Sequence, residues 1–176
     1  EQPSSRAAAL SYSAVGLTDG WSIFFNQAGL GYQESTWVGA HHENRFITPE
    51  LSFSALGVIL PVKNGSFGVS IKRMGFSQFN QTKAGLAFGM KLAPTFSAGI
   101  QLNAHHVYFA GEYGSTTAFT AEGGMIYSPT SSLDIGFHII NPGDQVKITN
   151  LLPMGYTNAC FVWRCIPPGQ FRPPGP

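Results

Sequence analysis

The sequence predicts an all-β protein built as an antiparallel up-and-down meander, and three observations support this fold class. Side chains alternate with a period of two over most of residues 32–148, as expected when successive side chains of a strand point to opposite faces. Short turn signals separate the alternating segments. Charged residues make up only 11% of the chain and hydrophobic residues 43%, whereas an ordinary soluble domain carries roughly 25% charged residues.

The clearest strand signal covers residues 95–105, where apolar side chains occupy one face and small or polar side chains the other. Residues 83–92 show the same pattern, and the intervening Ala93–Pro94 predicts a tight antiparallel hairpin. The Asn64–Gly65 pair between two apolar runs predicts a second hairpin. The sequence therefore predicts about seven strands of about 9–11 residues. Besides 83–92 and 95–105, the predicted strands are 32–42, 51–60, 66–76, 117–127 and 133–139.

Short connections at 63–65, 93–94 and 128–131 alternate with longer ones at 43–50, 77–82 and 108–116. All short turns then lie at one end of the meander, as in outer-membrane barrels. No run of about 20 apolar residues predicts a membrane helix. Aromatic residues near strand ends fit a membrane interface: Trp37, Phe67, Phe76, Tyr108, Phe109 and Tyr127.

The composition of the polar face decides between a membrane barrel and a soluble one. A soluble barrel would carry Lys and Glu there, but this face is mostly Gly, Ser, Asn and Gln, which suits a lumen. We therefore predict a partial, about seven-stranded outer-membrane β-barrel in residues 32–148. Its lumen-facing candidates are Gln101, Asn103, Glu122 and Asp134.

Residues 1–31, the N-terminal segment, precede the meander. Small residues lead to Trp21, Phe24 and Phe25, and the segment closes on the turn-rich run from Asn26 to Leu30. Its aromatic side chains and irregular backbone cannot both be left to water. We expect the segment to lie against a wall formed by the strands.

The run SRAAALSYSAVGLTDGWSIFFNQAGLG resembles the mature N-terminus of the FadL-like outer-membrane barrels, and most closely their PorV/PorQ-type branch. Further similar runs are ENRF at 43–46, KAGLAFGMKL at 83–92, FSAGIQL at 96–102 and INPGD at 140–144. The resemblance covers about residues 5–148. In the N-terminal segment the matching positions are Asp19, Trp21, Asn26, Gln27, Ala28, Gly29 and Leu30.

The resemblance implies a barrel of about fourteen strands with the N-terminal segment folded into the lumen as a hatch, in which Phe24 and Phe25 join the matching residues. It implies a location in the bacterial outer membrane after removal of a signal peptide, with membrane lipid as partner. FadL-like proteins import hydrophobic compounds, and the PorV-type branch is linked to type IX secretion. Transport or a secretion-associated role is therefore expected, with secretion-machinery proteins or exported cargo as further partners.

The sequence departs from the family in two ways. It supplies about half of the expected strands, so we expect a fragment that does not close a barrel alone. Residues 149–176 contain six of the twelve prolines and both cysteines, and proline disfavours sheet interiors. We predict that this tail is non-native or disordered and does not continue the meander, and that Cys160 and Cys165 either close a small disulfide loop or have no role.

Enzymatic, metal and nucleic-acid functions are not expected. The net charge is +1, and no basic run favours nucleic acid. His41–His42 and His105–His106 are adjacent on predicted strands, so the two rings of each pair point to opposite faces and cannot grip one ion. No cofactor motif or catalytic constellation stands out. The rival prediction is a soluble β-sandwich or barrel that binds an apolar ligand or a protein partner, and it would be monodisperse without detergent.

Overall fold

A computed structural model describes residues 3–44, 52–110, 114–130 and 132–140, together with the backbone of residues 158–165. Within these residues, eight antiparallel strands form one sheet, in which strand order equals chain order, and the sheet curls as a half-barrel. The predicted all-β meander is confirmed. The strands are β1 (Trp37–Asn44), β2 (Ser52–Val62), β3 (Gly65–Gly75), β4 (Phe79–Ala93), β5 (Phe96–Phe109), β6 (Ser115–Thr130), β7 (Leu133–Ile140) and β8 (Asn158–Cys165).

The central strands are longer than predicted. Strands β4, β5 and β6 contain 15, 14 and 16 residues, because their ladders continue past the apolar stretches through pairs such as Thr82–His106 and His106–Thr117. The tight connections β2–β3, β4–β5 and β6–β7 lie at one end of the sheet, which we call the turn end, and the other connections lie at the loop end.

The prediction that the tail does not continue the meander is wrong for residues 158–165. Strand β8 pairs with β7 from Leu133–Cys165 to Ile140–Asn158. The prolines of the tail flank this stretch rather than interrupt it, so the ladder loses no donor. Cys160 and Cys165 lie on this one strand, about 17 Å apart at the usual rise, which is too far for a disulfide between them. The rest of the tail, half of the ENRF run and most of the INPGD run lie outside the described residues.

The two faces of the sheet differ in polarity, and the apolar one is exposed. On β5, Ile100 and Leu102 are 64% and 63% exposed, whereas the alternating Gln101 and Asn103 are 3% and 2% exposed. We call the exposed side the convex face and the covered side the concave face. The other strands repeat this order, with Val38, Leu56, Leu60, Phe67, Val69, Ile71, Leu86, Phe119, Met125 and Tyr127 exposed on the convex face.

The N-terminal segment covers the concave face. It contains α1 (Ser5–Ala9) and two 3₁₀ helices (Gly20–Phe24 and Gln27–Tyr32), which Ser4, Asp19 and Asn26 cap through their side-chain oxygens. Strand β1 therefore begins at Trp37 rather than near residue 32. The main hydrophobic core combines the segment with the inner side of the sheet: Ala7, Ala14, Leu17, Ile23, Phe24, Phe25, Leu30, Phe53, Ala55, Ile59 and Ala87.

Candidate functional site on the concave face

A row of three glycines receives the N-terminal segment. Gly89, Gly99 and Gly124 stand side by side across β4, β5 and β6. A Cβ added at Gly89 or Gly99 would lie 2.2 Å or 2.4 Å from the carbonyl oxygen of Gln27. A Cβ at Gly124 would lie 1.9 Å from Oδ1 of Asn26. This glycine row (Gly89, Gly99 and Gly124) allows a backbone approach that no other residue type permits.

The Asn26 side chain joins the N-terminal segment to β6 and β7 and also bonds to other residues of the segment. Its Nδ2 donates to the carbonyl oxygen of Val15 at 2.8 Å and lies 3.2 Å and 3.4 Å from those of Met125 and Phe137. Its Oδ1 accepts from the backbone N–H of Ala28 at 3.1 Å and so caps the second 3₁₀ helix. Because the side chain is fully buried, these bonds replace water that the amide loses on folding.

Gln27 continues this contact into a polar network on the sheet. Its Nε2 donates to Gln101 Oε1 at 2.9 Å and to Glu122 Oε2 at 3.3 Å. Gln101 in turn donates to Asn103 Oδ1 at 2.6 Å. Polar side chains of the sheet therefore meet a polar side chain of the segment in a buried position, although Gln27 Oε1 and Asn103 Nδ2 have no hydrogen-bond partner within the protein.

Glu122 is the charged centre of that network. Lys83 on β4 donates to Glu122 Oε1, and His138 Nε2 on β7 lies 3.5 Å from Glu122 Oε2. The carboxylate is buried, and an ion pair compensates the loss of its hydration. Three strands and the N-terminal segment thus converge on one carboxyl group.

Asp134 lies apart from this network, nearer the turn end. It is buried and accepts a hydrogen bond from Ser128 Oγ. The four predicted lumen-facing residues all lie on the concave face, but only Gln101, Asn103 and Glu122 belong to one cluster.

Aromatic residues hold the β1 side of the segment. Trp21 packs against Trp37 with ring centroids 5.0 Å apart, and His41 lies 6.2 Å from Trp21. Trp37 therefore faces the concave side, which corrects the prediction that it belongs to an outward aromatic belt. Phe24 approaches Gly57 and Ile23 approaches Gly68 in the same close manner.

The remaining predicted residues of the segment are buried as well. Phe25, Ala28, Gly29 and Leu30 lie inside, and a Cβ at Gly29 would meet Ser22 at 2.5 Å. Asp19 is partly exposed and pairs with Arg6 at 2.9 Å. The nine predicted residues thus lie within one continuous stretch on the concave face.

A cavity of about 320 Å³ opens beside the network toward the loop end. Lys72 stands in it with Nζ 5.8 Å from the centroid of the Phe24 ring. The volume accommodates several water molecules. Its lining includes the charged groups of Lys72, Lys83 and Glu122 and the apolar side chains of Phe53, Met74 and Ile140.

The two histidine pairs divide between the faces as predicted. His42 and His106 lie outward, against Ser54 Oγ at 2.9 Å and Thr117 Oγ1 at 3.0 Å. His105 faces inward and contacts Thr120 Oγ1 at 3.0 Å. Within the described ranges, no group of three or more His, Cys, Asp or Glu side chains could hold a metal ion.

The sequence-based prediction did not connect Lys83 and His138 to Glu122. The sequence contained a partial signal for Lys83, because Lys83 alternates with Gly85 on the small-residue side of β4. The register of the β4–β5 hairpin places it opposite His105. His138 carried a similar partial signal, since it alternates with Asp134 and Gly136 on the buried side of β7.

Three comparisons with known proteins found no match. No protein-family model matches the chain, and neither a curated protein nor a solved structure does. Among the described residues, no helix is long and apolar enough to cross a membrane.

Proposed function

We propose that this chain is part of the wall of an outer-membrane β-barrel and that its N-terminal segment acts as a hatch on the lumen side. One observation carries the proposal: large apolar side chains cover the exposed convex face while Gln, Asn, Glu and Asp are buried on the concave face. In water this arrangement exposes a large contiguous apolar surface. In a bilayer the same surface faces hydrocarbon, as in membrane barrels.

The height of the apolar band supports a bilayer as its surroundings. On β6 the outward apolar positions run from Phe119 near the loop end to Tyr127 at the turn end, nine residues in all. Nine residues span about 30 Å along a strand. At the tilt of about 40° usual in membrane barrels this becomes about 23 Å, close to the height of about 25 Å of their lipid-facing band.

Aromatic residues near the limits of the band agree with this orientation. Tyr127 is exposed at the turn end of β6, where it pairs with Phe96 next to the β4–β5 turn. Tyr108 is exposed at the loop end. Aromatic side chains prefer the interface between hydrocarbon and water.

Within this class, we propose a FadL-like barrel of PorV/PorQ type that acts in transport or in type IX secretion at the cell surface. The support is the resemblance of the N-terminal segment, together with the position of Asn26, Gln27 and Leu30 against the inner side of the strands. Partners of such a protein are membrane lipid and either secretion-machinery proteins or exported cargo.

Two arginine substitutions at different depths separate this proposal from the soluble alternative. Ile100 lies near the middle of the apolar band, and Leu92 lies at its turn end; both are exposed. In a lipid-facing strand, Ile100→Arg costs about 2–4 kcal/mol of folding free energy and Leu92→Arg about 0–1 kcal/mol. In a soluble protein both substitutions replace an exposed apolar group and increase solubility.

The measurement is urea unfolding of both variants and the wild type in detergent micelles or lipid bilayers, with sedimentation in buffer alone as a companion assay. The proposal predicts a depth-dependent loss of stability and a requirement for detergent. Monodisperse wild-type protein in plain buffer, with both arginine variants equally stable, would contradict it.

A further inference from the structure

A row of polar side chains crosses the convex face just beyond the apolar band, at its loop end. Strand register places its members next to one another from β1 to β6. We call this set the polar row: His42, Ser54, Arg73, Thr82, His106 and Thr117. The neighbouring row toward the turn end is apolar throughout: Ala40, Leu56, Ile71, Ala84, Ala104 and Phe119.

The polar row points away from the N-terminal segment. Four of its members are exposed: His42, Ser54, Arg73 and His106. The residues that precede and follow each of them along its strand face the concave side. Two hydroxyls orient the imidazoles, since Ser54 Oγ lies 2.9 Å from His42 Nδ1 and Thr117 Oγ1 lies 3.0 Å from His106 Nδ1. The row therefore presents a preformed surface rather than a set of independent side chains.

The polar row has one permanent positive charge, the Arg73 guanidinium. It contains one guanidinium and two imidazoles, and none of its six members is acidic. Arg73 is central between the histidines, and a guanidinium binds phosphate oxygens through two parallel N–H donors. The hydroxyl of Thr82, next to Arg73, can donate a further bond to such an anion.

An apolar groove joins the polar row to the band below it. The groove has a volume of about 390 Å³ and is lined by Ala40, Leu56 and Ile71 together with His42, Ser54 and Arg73. A ligand with a phosphate group at one end and an acyl chain at the other would contact both the Arg73 guanidinium and the apolar lining. A free phosphate ion would leave the apolar part of the groove unfilled.

We propose that the polar row binds the phosphate headgroup of an anionic phospholipid at the loop-end boundary of the membrane, with the acyl chain in the groove below Arg73. This inference rests on the proposed function, because it requires the convex face to lie in a bilayer. It adds the lipid class, the binding residues and the end of the barrel at which the lipid binds.

The experiment measures lipid selectivity of the full chain by electron spin resonance. The protein is placed in phosphatidylcholine bilayers with spin-labelled phosphatidylglycerol or spin-labelled phosphatidylcholine as the probe. One basic side chain at a charged membrane surface corresponds to about a fivefold preference. We expect the wild type to prefer phosphatidylglycerol by about this factor, Arg73→Gln to lose the preference, and Arg73→Lys to keep part of it.

Lys63→Gln is the matched control, because Lys63 is exposed in the turn between β2 and β3 at the opposite end; its selectivity should equal that of the wild type. The inference is overturned if Arg73→Gln keeps the preference while inserting normally, or if wild-type protein inserts but shows no preference. It is also overturned if inorganic phosphate displaces the lipid probe as well as phosphatidylglycerol does, which would indicate a free-anion site. Failure to insert even into phosphatidylcholine would instead refute the proposed function.

Discussion

Asn26 and Gly124 are 98 positions apart in the chain, yet a single methyl group on Gly124 would lie 1.9 Å from the Asn26 side-chain oxygen. The contact joins the turn between the two 3₁₀ helices to the middle of β6. It shows that the sheet is shaped to receive the N-terminal segment rather than merely lying beside it.

Replacement of Gly124 by valine should displace the segment. Overpacking of a filled site usually costs about 1–3 kcal/mol, and here the obstruction is a buried, hydrogen-bonded amide. We expect lower stability in urea, followed by Trp fluorescence, and faster proteolysis before residue 31. Gly123→Val is the matched control, because its Cβ would meet only Ile139 Cγ2 at 3.5 Å. Equal behaviour of the two variants would show that the close approach has no energetic importance.

Asn26→Ala removes the donor that faces the carbonyl oxygens of Val15 and Met125. Each buried polar group left without its partner costs about 1–3 kcal/mol. We expect a loss of that size in the unfolding free energy, with a larger loss for Asn26→Asp, whose carboxylate would oppose those oxygens. Asn44→Ala at the exposed end of β1 should change stability by less than about 0.5 kcal/mol. A loss no greater than in this control would argue against the role of Asn26.

Lys83→Met should destabilise the fold strongly, because it leaves the Glu122 carboxylate buried without its cation. Breaking one partner of a buried pair typically costs about 3–5 kcal/mol. The double variant Lys83→Met/Glu122→Gln should recover most of the loss, since the amide oxygen still accepts from Gln27. Arg6→Ala, which breaks the exposed pair with Asp19, should cost at most about 1 kcal/mol. Additive effects in the double variant would indicate that the two side chains are not coupled.

The fold could be predicted because its signals are local. Alternation in residues 95–105 and the Asn64–Gly65 turn fix strands and hairpins within a few residues of chain. The sequence also predicted which face of the sheet is covered. A face of Gly, Ser, Asn and Gln with few charges is poorly suited to bulk water, and this face is the concave one.

The partners of the N-terminal segment could not be predicted, because they depend on contacts between distant parts of the chain. Gly123 and Gly124 are both glycines. Only the packing shows that Gly124 receives Asn26, whereas Gly123 lies next to Ile139 on β7. Strand β8 was missed for a different reason. The proline content of the whole tail outweighed a proline-free stretch of eight residues inside it.

A nitroxide at Leu102 tests most directly whether the convex face lies in lipid. Cys160 and Cys165 are first replaced by serine, and labels are then attached at Leu102→Cys, at Asn103→Cys and, as a water-exposed control, at Lys63→Cys. Collisions with oxygen report lipid, and collisions with a water-soluble nickel chelate report solvent. We expect the label at Leu102 to collide mainly with oxygen, the label at Asn103 with neither reagent, and the label at Lys63 with the nickel chelate. A label at Leu102 as accessible to the nickel chelate as the label at Lys63 would contradict this expectation.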